Sequence, residues 1–367
     1  MLADHYLLAL PVSAVLTCVL IVLLRPLLIR YALARPNARS SHKTPTPQGG
    51  GIAIMAALLL VVVAGAVFSP WAPECACPEK GLRGILSFYL RRDPAVIVLG
   101  CAVLLAVVGA CDDIRPLPTI PRLVLQFFAV SLVIVAATVN FRFLPDVVPH
   151  WLELTVLIVG GVWFVNLVNF MDGLDWITVA EMVPITAFIA FLGIHVDGVF
   201  SIFTLGVSPL IASALCGALL GFAIFNKPVA RLFLGDVGSL PIGLIVGFFL
   251  LILARNGTFA AALLLPLYYL MDATITLFRR LAKRERVWEA HRSHFYQRAT
   301  DNGFSVMSVV THVFVLNLAL AALAGVTLLW PSGVVQIGAL AAGLLLVGVV
   351  LRRFSHPRMT APLEISR

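Results

Sequence analysis

The chain has 367 residues, of which 60% are hydrophobic and 12% charged, with a mean hydropathy of +1.01; an ordinary soluble domain carries roughly 25% charged residues. A water-soluble globule is excluded, and at about 20 apolar residues per membrane crossing the apolar blocks leave no room for a separate soluble domain. Lysine and arginine total 26 against 18 acids, a formal net charge of +8, which points to loops facing an anionic leaflet and to anionic substrates rather than to nucleic acid.

Apolar runs and their breakers predict eleven spans, near 6–29, 50–69, 94–111, 121–139, 152–168, 177–195, 201–225, 238–254, 258–278, 304–327 and 333–351. The expected fold is all-α: one polytopic membrane domain over residues 1–367. The first span reads as a retained anchor, because Asp4 and His5 precede it and Arg25 and Arg30 close its far end, unlike a cleaved signal. Pro209 shortens the seventh span. The six cysteines lie mostly in apolar runs and read as small buried hydrophobes, and Cys75-x-Cys77 lacks the second ligand pair that zinc needs.

An odd number of spans puts the termini on opposite sides, and the basic residues choose the orientation. Nineteen fall in one set of loops, which holds Arg30 to Lys43, Arg115 and Arg122, Lys227 and Arg231, Arg279 to Arg298, and Arg352 to Arg367; six fall in the other set. The richer side is therefore cytoplasmic, with the N-terminus outside and the C-terminus inside. The loops near 30–49, 112–120, 169–176, 226–237 and 279–303 then face the cytoplasm together and form the expected active site.

Those loops hold the informative polar residues in chain order. Ser41, His42 and Lys43 precede Gly49-Gly50-Gly51, which lacks the ending of a P-loop. Asp112 and Asp113 close the third span as an adjacent acidic pair, either a solvated cap with Arg115 or a site for a hard cation or proton, since carboxylate oxygens suit Mg²⁺. Asn169 and Asp172 are three apart and share a face in a helical continuation; an Asx turn that ends the fifth span at Gly173 is the other reading. Asp236, between Gly235 and Gly238, stands at the start of a long helix, where an acid caps and where backbone amides also bind phosphate. Asp272 lies inside the ninth span, either functional or paired with Arg279. His291, Arg292, His294 and Arg298 offer more mixed donors than a positive-inside anchor requires, and such donors neutralise a diphosphate.

Together, Ser-His-Lys-Thr-Pro-Thr-Pro-Gln-Gly-Gly-Gly (41–51), Gly-x-x-Asp-Asp (109–113) with Arg122 and Gln126, Asn-Phe-Met-Asp-Gly-Leu-Asp (169–175), Phe-Leu-Gly-Asp-Val-Gly-Ser (233–239) and His-Arg-Ser-His-Phe-Tyr-Gln-Arg (291–298) resemble the polyprenyl-phosphate N-acetylhexosamine-1-phosphate transferases, in the same order and over nearly all the chain. The two-histidine form of the last motif is similar to the O-antigen and exopolysaccharide-initiating branch.

The resemblance implies an integral enzyme of the bacterial inner membrane. It would move a sugar 1-phosphate from a UDP-sugar to undecaprenyl phosphate, release UMP and use Mg²⁺, with Mn²⁺ as an alternative. It further implies Asp112, Asp113 and Asp172 as catalytic acids and Asn169 and Asp236 as metal ligands. Phe233 and Asn226 match positions that hold uracil, and Ser41, His42, Lys43, His291, Arg292, His294 and Arg298 match the remaining substrate contacts. One departure stands out: the family usually has Gly where this chain has Trp176, which bears on Asp175 and on the sugar pocket. The partners are then the nucleotide sugar, the lipid phosphate and the bilayer, with a homodimer left open.

Two mechanisms suit these residues: direct attack of the lipid phosphate, and an aspartyl-phosphosugar intermediate. The alternative in function is a secondary transporter or lipid flippase, which also carries intramembrane charge. Its site, however, belongs at the midplane between repeats, and no repeat is visible. The motif of a CDP-alcohol phosphotransferase is not present.

Overall fold

A computed structural model of the protein describes residues 2–34, 45–68, 94–138, 141–145, 147–195, 208–255, 257–286 and 291–358. The expected Ser41, His42 and Lys43 and the Cys75-x-Cys77 pair lie outside the described residues. What is described is all-α apart from one two-stranded ribbon. The helices are α1 (Leu2–Tyr31), α2 (Gly50–Phe68), α3 (Pro94–Ile114), α4 (Thr119–Thr138), α5 (His150–Met171), α6 (Ile177–His195), α7 (Ser208–Ala223) and α8 (Asp236–Arg255). They continue with α9 (Phe259–Leu264), α10 (Leu267–Ala282), α11 (Phe295–Asp301), α12 (Val306–Leu329) and α13 (Gly333–Ser355).

Seven of these are long and apolar enough to cross a membrane, and three shorter apolar helices (Gly50–Gly65, Ile177–Gly193, Ser208–Ala223) accompany them. Proline sets several starts: Pro94 opens α3 and Pro209 is the second residue of α7, where the missing N–H costs nothing because first-turn amides have no partner in their own helix. The ninth expected span, 258–278, is not continuous. It breaks between α9 and α10 at Leu265 and Pro266, and Pro266 is the N-cap residue of α10. The stretch expected as a basic loop is partly helical, since α10 runs on to Ala282 and α11 forms within it.

Helix α8 is the centre of the bundle, packed on α3, α5, α2, α4 and α9. Its apolar residues from Val237 to Phe249 are buried almost without interruption, as expected of a span surrounded by other helices rather than by lipid. The ribbon pairs β1 (Leu33–Ala34) with β2 (Thr46–Pro47), Leu33 opposite Pro47. Its continuation ties α2 to the segment before α8: Phe233 N donates to Pro47 O, Gly50 N to Phe233 O and Gly51 N to Leu234 O, each at 2.9 Å. The N-terminus of α8 is thereby held at the same level as the start of α2 and the end of α3.

Candidate active site

The site grows from the close approach of α3 to the first turn of α8. A methyl group at Gly109 would overlap the carbonyl of Asp236 and the amide of Val237, so only glycine lets the two backbones meet. Gly235 turns the chain into α8 with φ +77°, and a side chain there would strike the Asp113 carboxylate. This proximity puts Asp113 over the end of α8. Its Oδ1 accepts from Asp236 N at 3.0 Å and its Oδ2 from Val237 N at 3.1 Å. An acid on one helix thus caps another, satisfying amides that have no intrahelical acceptor and favouring the positive end of the helix dipole.

Asp112 faces elsewhere. Its Oδ1 accepts from Leu117 N at 2.6 Å and its Oδ2 from Arg122 at 2.9 Å. The same Arg122 nitrogen donates to Asp236 Oδ2 at 3.2 Å, so one guanidinium joins acids from α3 and α8. Asn169, in the last turn of α5, donates to Asp236 Oδ1 at 2.7 Å and to Ser239 Oγ at 2.9 Å. Gln48 Nε2 closes the group by donating to Asp113 O at 2.8 Å. On α4, Arg122 Nε and Gln126 Nε2 are buried without an acceptor among the described residues, while Gln126 Oε1 takes the amide of Asn166 at 2.6 Å.

Asp172 caps the end of α5 and accepts from Thr178 Oγ1 at 2.5 Å. Burial pushes its carboxyl up to about 7, and the charges of Asp236 and Asp175 act in the same direction against the Thr178 hydrogen bond. Asp175 itself is buried and accepts from Ala230 N at 3.0 Å, clasping the segment before α8. Trp176 adopts φ +63°, a left-handed conformation that disfavours a bulky residue. Two bonds hold it there: its backbone N donates to Asn226 Oδ1 at 2.8 Å and its indole Nε1 to Ala223 O at 2.6 Å. Asn226 also donates to Leu232 O at 2.9 Å, so both ends of its amide brace the loop that carries the half-buried Phe233.

The histidine motif forms a second part. Asp272, fully buried in α10, is not paired with Arg279; it caps α11, taking Phe295 N at 3.0 Å and His294 Nδ1 at 3.2 Å on Oδ1 and Tyr296 N at 3.2 Å on Oδ2. Arg279 lies instead over the Phe295 ring, 4.6 Å from its centroid. The His294 ring stacks on His291, 4.8 Å between centroids. Arg292 pairs with Asp301 at 3.3 Å and donates to Thr300 at 3.2 Å, and Arg298 is exposed. Tyr296 OH donates to Phe170 O at 3.1 Å, which docks this motif against the residue next to Asn169.

An apolar cavity of about 480 Å³ lies between α4, α5, α8, α9 and the start of α10, lined by Gly161, Phe164, Val165, Gly243, Gly247 and Phe248 among others. Val165 is one helical turn, about 6 Å, from Asn169, and Gly243 is one turn from Ser239, so the cavity adjoins the polar cluster. The sequence places Arg122, Ser239 and Gln48 within its motifs without a site role, and Thr178 carries no signal there at all.

Apolar helices long enough to cross a membrane, with acids, amides and a guanidinium gathered at their ends beside an apolar cavity, are the features of a polytopic membrane protein. Comparison with known proteins agrees. The family model described as Glycosyl transferase family 4 matches residues 95–254. A Bacillus subtilis protein named "Probable undecaprenyl-phosphate N-acetylglucosaminyl 1-phosphate transferase" is 23% identical over 86% of this chain and 84% of its own. The decaprenyl-phosphate N-acetylglucosaminephosphotransferase of Mycobacterium leprae is 26% identical over 88% and 84%, and the phospho-N-acetylmuramoyl-pentapeptide-transferase of Caldanaerobacter subterraneus 29% over 57% and 62%. The chain is thus similar to polyprenyl-phosphate hexosamine-1-phosphate transferases, through a family model over residues 95–254 and relatives of 23–29% identity.

Proposed function

We propose that the protein transfers a sugar 1-phosphate of the N-acetylhexosamine type from a UDP-sugar to undecaprenyl phosphate, releasing UMP, at the cytoplasmic face of a bacterial inner membrane. The observation that carries this reading is the joining of Asp112 and Asp236 by the Arg122 guanidinium, with Asp236 bonded in turn to Asn169, whose helix lines an apolar cavity one turn further along. A substrate with a phosphate head and a polyprenyl tail needs a charged centre and a dry slot side by side. The two-histidine motif supports a place at the first membrane step of cell-surface polysaccharide synthesis, in an O-antigen or exopolysaccharide branch.

Mg²⁺ fits this donor set in one particular mode. Among the described residues no three His, Cys, Asp or Glu side chains converge into a metal cage. However, Mg²⁺ commonly takes one or two carboxylates and completes its shell with substrate phosphates and water. Asp236 and Asn169 would hold it, and when bound it supplies charge neutralisation on the diphosphate.

In the reaction an oxygen of the lipid phosphate attacks the β-phosphorus of the UDP-sugar. The bond from that phosphorus to the bridging oxygen breaks, and UMP leaves with the electron pair. Arg122 Nε and Gln126 Nε2, buried and unpaired, are donors for phosphate oxygens, because a buried N–H without a partner costs about 1–3 kcal/mol that an anion restores. Asp112 orients that guanidinium, Asp113 holds the end of α8, and the loop from His291 to Arg298 gathers positive charge beside it. Both oxygens of Asp113 are already occupied by amides, which supports direct attack over an aspartyl intermediate.

The test is UMP release by the purified full chain from a panel of UDP-N-acetylhexosamines, with undecaprenyl phosphate and with or without Mg²⁺. Release that requires the lipid and is abolished by chelation is expected. Silence across the whole panel rejects the reading, and uptake of the sugar nucleotide into vesicles in its place supports the transporter. Exchange of UMP into the UDP-sugar without lipid rejects direct attack.

A further inference from the structure

Glu181 is an acid in the second turn of α6, fully buried, and no step above uses it. A buried acid is costly unless it is hydrogen-bonded, so something specific retains it. Its Oε2 accepts from Asn317 Nδ2 of α12 at 2.6 Å, and its Oε1 accepts from Tyr269 N at 3.4 Å. Tyr269 is the third residue of α10, where the helix restarts after Pro266 and no side chain of the N-cap residue closes the first turn. Glu181 therefore caps α10 from a neighbouring helix.

Two further observations connect this cap to the site. Three residues beyond Tyr269, Asp272 caps α11 and binds His294. Three residues before Glu181, on the same face of α6, Thr178 holds Asp172. One face of α6 thus grips the loop after α5 with one side chain and the start of α10 with the next. We infer that Glu181 is a positioning residue: by fixing the start of α10 it sets where Asp272 stands, and through Asp272 the place of His294 relative to the acids.

The decisive variants are Glu181→Leu, which removes both bonds, and Glu181→Gln, whose new amide can donate to Asn317 Oδ1, an atom buried without a partner. The full chain in detergent is labelled with diethyl pyrocarbonate and the modified histidines are read by mass spectrometry. His294 has 4% side-chain exposure and His150, with 51%, is the internal control. Glu181→Leu should raise the labelling rate of His294 severalfold, with His150 unchanged and Glu181→Gln close to wild type.

The kinetic arm rests on the transferase reading. There Glu181→Leu should lower kcat by about tenfold and add nothing to the loss caused by His294→Ala, as coupled residues do. Unchanged labelling of His294 in folded Glu181→Leu protein, or losses that multiply in the double variant, overturns the inference. Should Glu181→Leu fail to fold, Asn317→Ala, which removes the bond to Glu181 and a second to Ala180 O, takes its place in the labelling experiment: faster labelling of His294 supports the inference and an unchanged rate overturns it. A wild-type protein silent on UDP-sugars removes the transferase reading and leaves the labelling result to decide alone.

Discussion

The adjacent acids Asp112 and Asp113 look equivalent in sequence, and substituting them one at a time separates their physical roles. In Asp113→Asn one oxygen remains to accept from the end of α8, and the new NH₂ group faces the other amide as a second donor. Asp236 N and Val237 N, at 3.0 and 3.1 Å, then share a single neutral acceptor. Val237 is 3% exposed, so water does not replace the lost partner, and Gly235 and Gly109 press against the same turn, leaving the chain no room to relax. One unpaired buried amide and the loss of charge assistance cost about 2 kcal/mol. That corresponds to a fall of about 3 °C in unfolding midpoint for a chain of this length. Asp112→Asn leaves one oxygen for Leu117 N and weakens a partly exposed ion pair, whose contribution is about 1 kcal/mol or less. Scanning fluorimetry in detergent, alongside transferase turnover, compares the two. The expected result is activity lost in both and stability lost mainly in Asp113→Asn; an Asp113→Asn midpoint equal to wild type, with Asp112→Asn lowered, would refute the capping argument.

Three more expectations follow from the same geometry. Gly109→Ala should insert normally yet lose activity by about a hundredfold, since a 1 Å misplacement near the chemistry has that effect; wild-type turnover would show that α3 and α8 need no such contact. Arg122→Lys should reduce kcat by about tenfold or more, because an ammonium lacks the planar fork that serves two carboxylates and would serve the proposed phosphate, and unchanged kinetics would remove Arg122 from the site. With divalent ions chelated, folding favours the protonated Asp172, whose carboxyl is held up to about 7 from an ordinary 3.8. Its contribution to stability is full below 3.8 and is lost as pH rises to about 7, so Asp172→Asn should flatten the decline of the unfolding midpoint over that interval, and an equal slope in both proteins would contradict the burial.

The sequence reveals whatever depends on composition or on residues close together. The apolar helices, their proline starts and the places where carboxylates accumulate are all legible, because a span declares itself over 20 residues and an acid among them is conspicuous. The break in the ninth span is not, since the residues on both sides of Pro266 are equally apolar and only the neighbouring helices decide whether proline kinks or interrupts. Asp272 shows the same limit: the sequence offers Arg279 two turns away, while the partners that satisfy it are the amides of Phe295 and Tyr296, more than 20 residues on. Glu181 carries the same warning as Asp272, an ionisable residue within an apolar run, and its partner Asn317 is 136 residues distant. Trp176 is a departure that the sequence exposes and only the structure explains, because the left-handed backbone at that position suits glycine, and here Asn226 and Ala223 O secure a tryptophan instead.

Asp113, Glu181 and Asp272 perform one operation in three places: each lies on one helix and closes the first turn of another. Helices that begin at the surface of a soluble protein give their first amides to water or to a local Ser, Thr or Asp. Helices that begin inside a bundle have no water, and a local cap would leave their position relative to other helices undefined. A carboxylate supplied in trans solves both problems, since it satisfies the amides and fixes one helix against another with charge-assisted bonds. The consequence for interpretation is that loss of activity on changing a buried acid in this fold does not by itself identify a group that touches substrate. Asp236, joined to Arg122 and Asn169 with its carboxylate partly open to the site, is the acid placed to meet a ligand, and Asp113, behind it, holds the turn on which Asp236 stands.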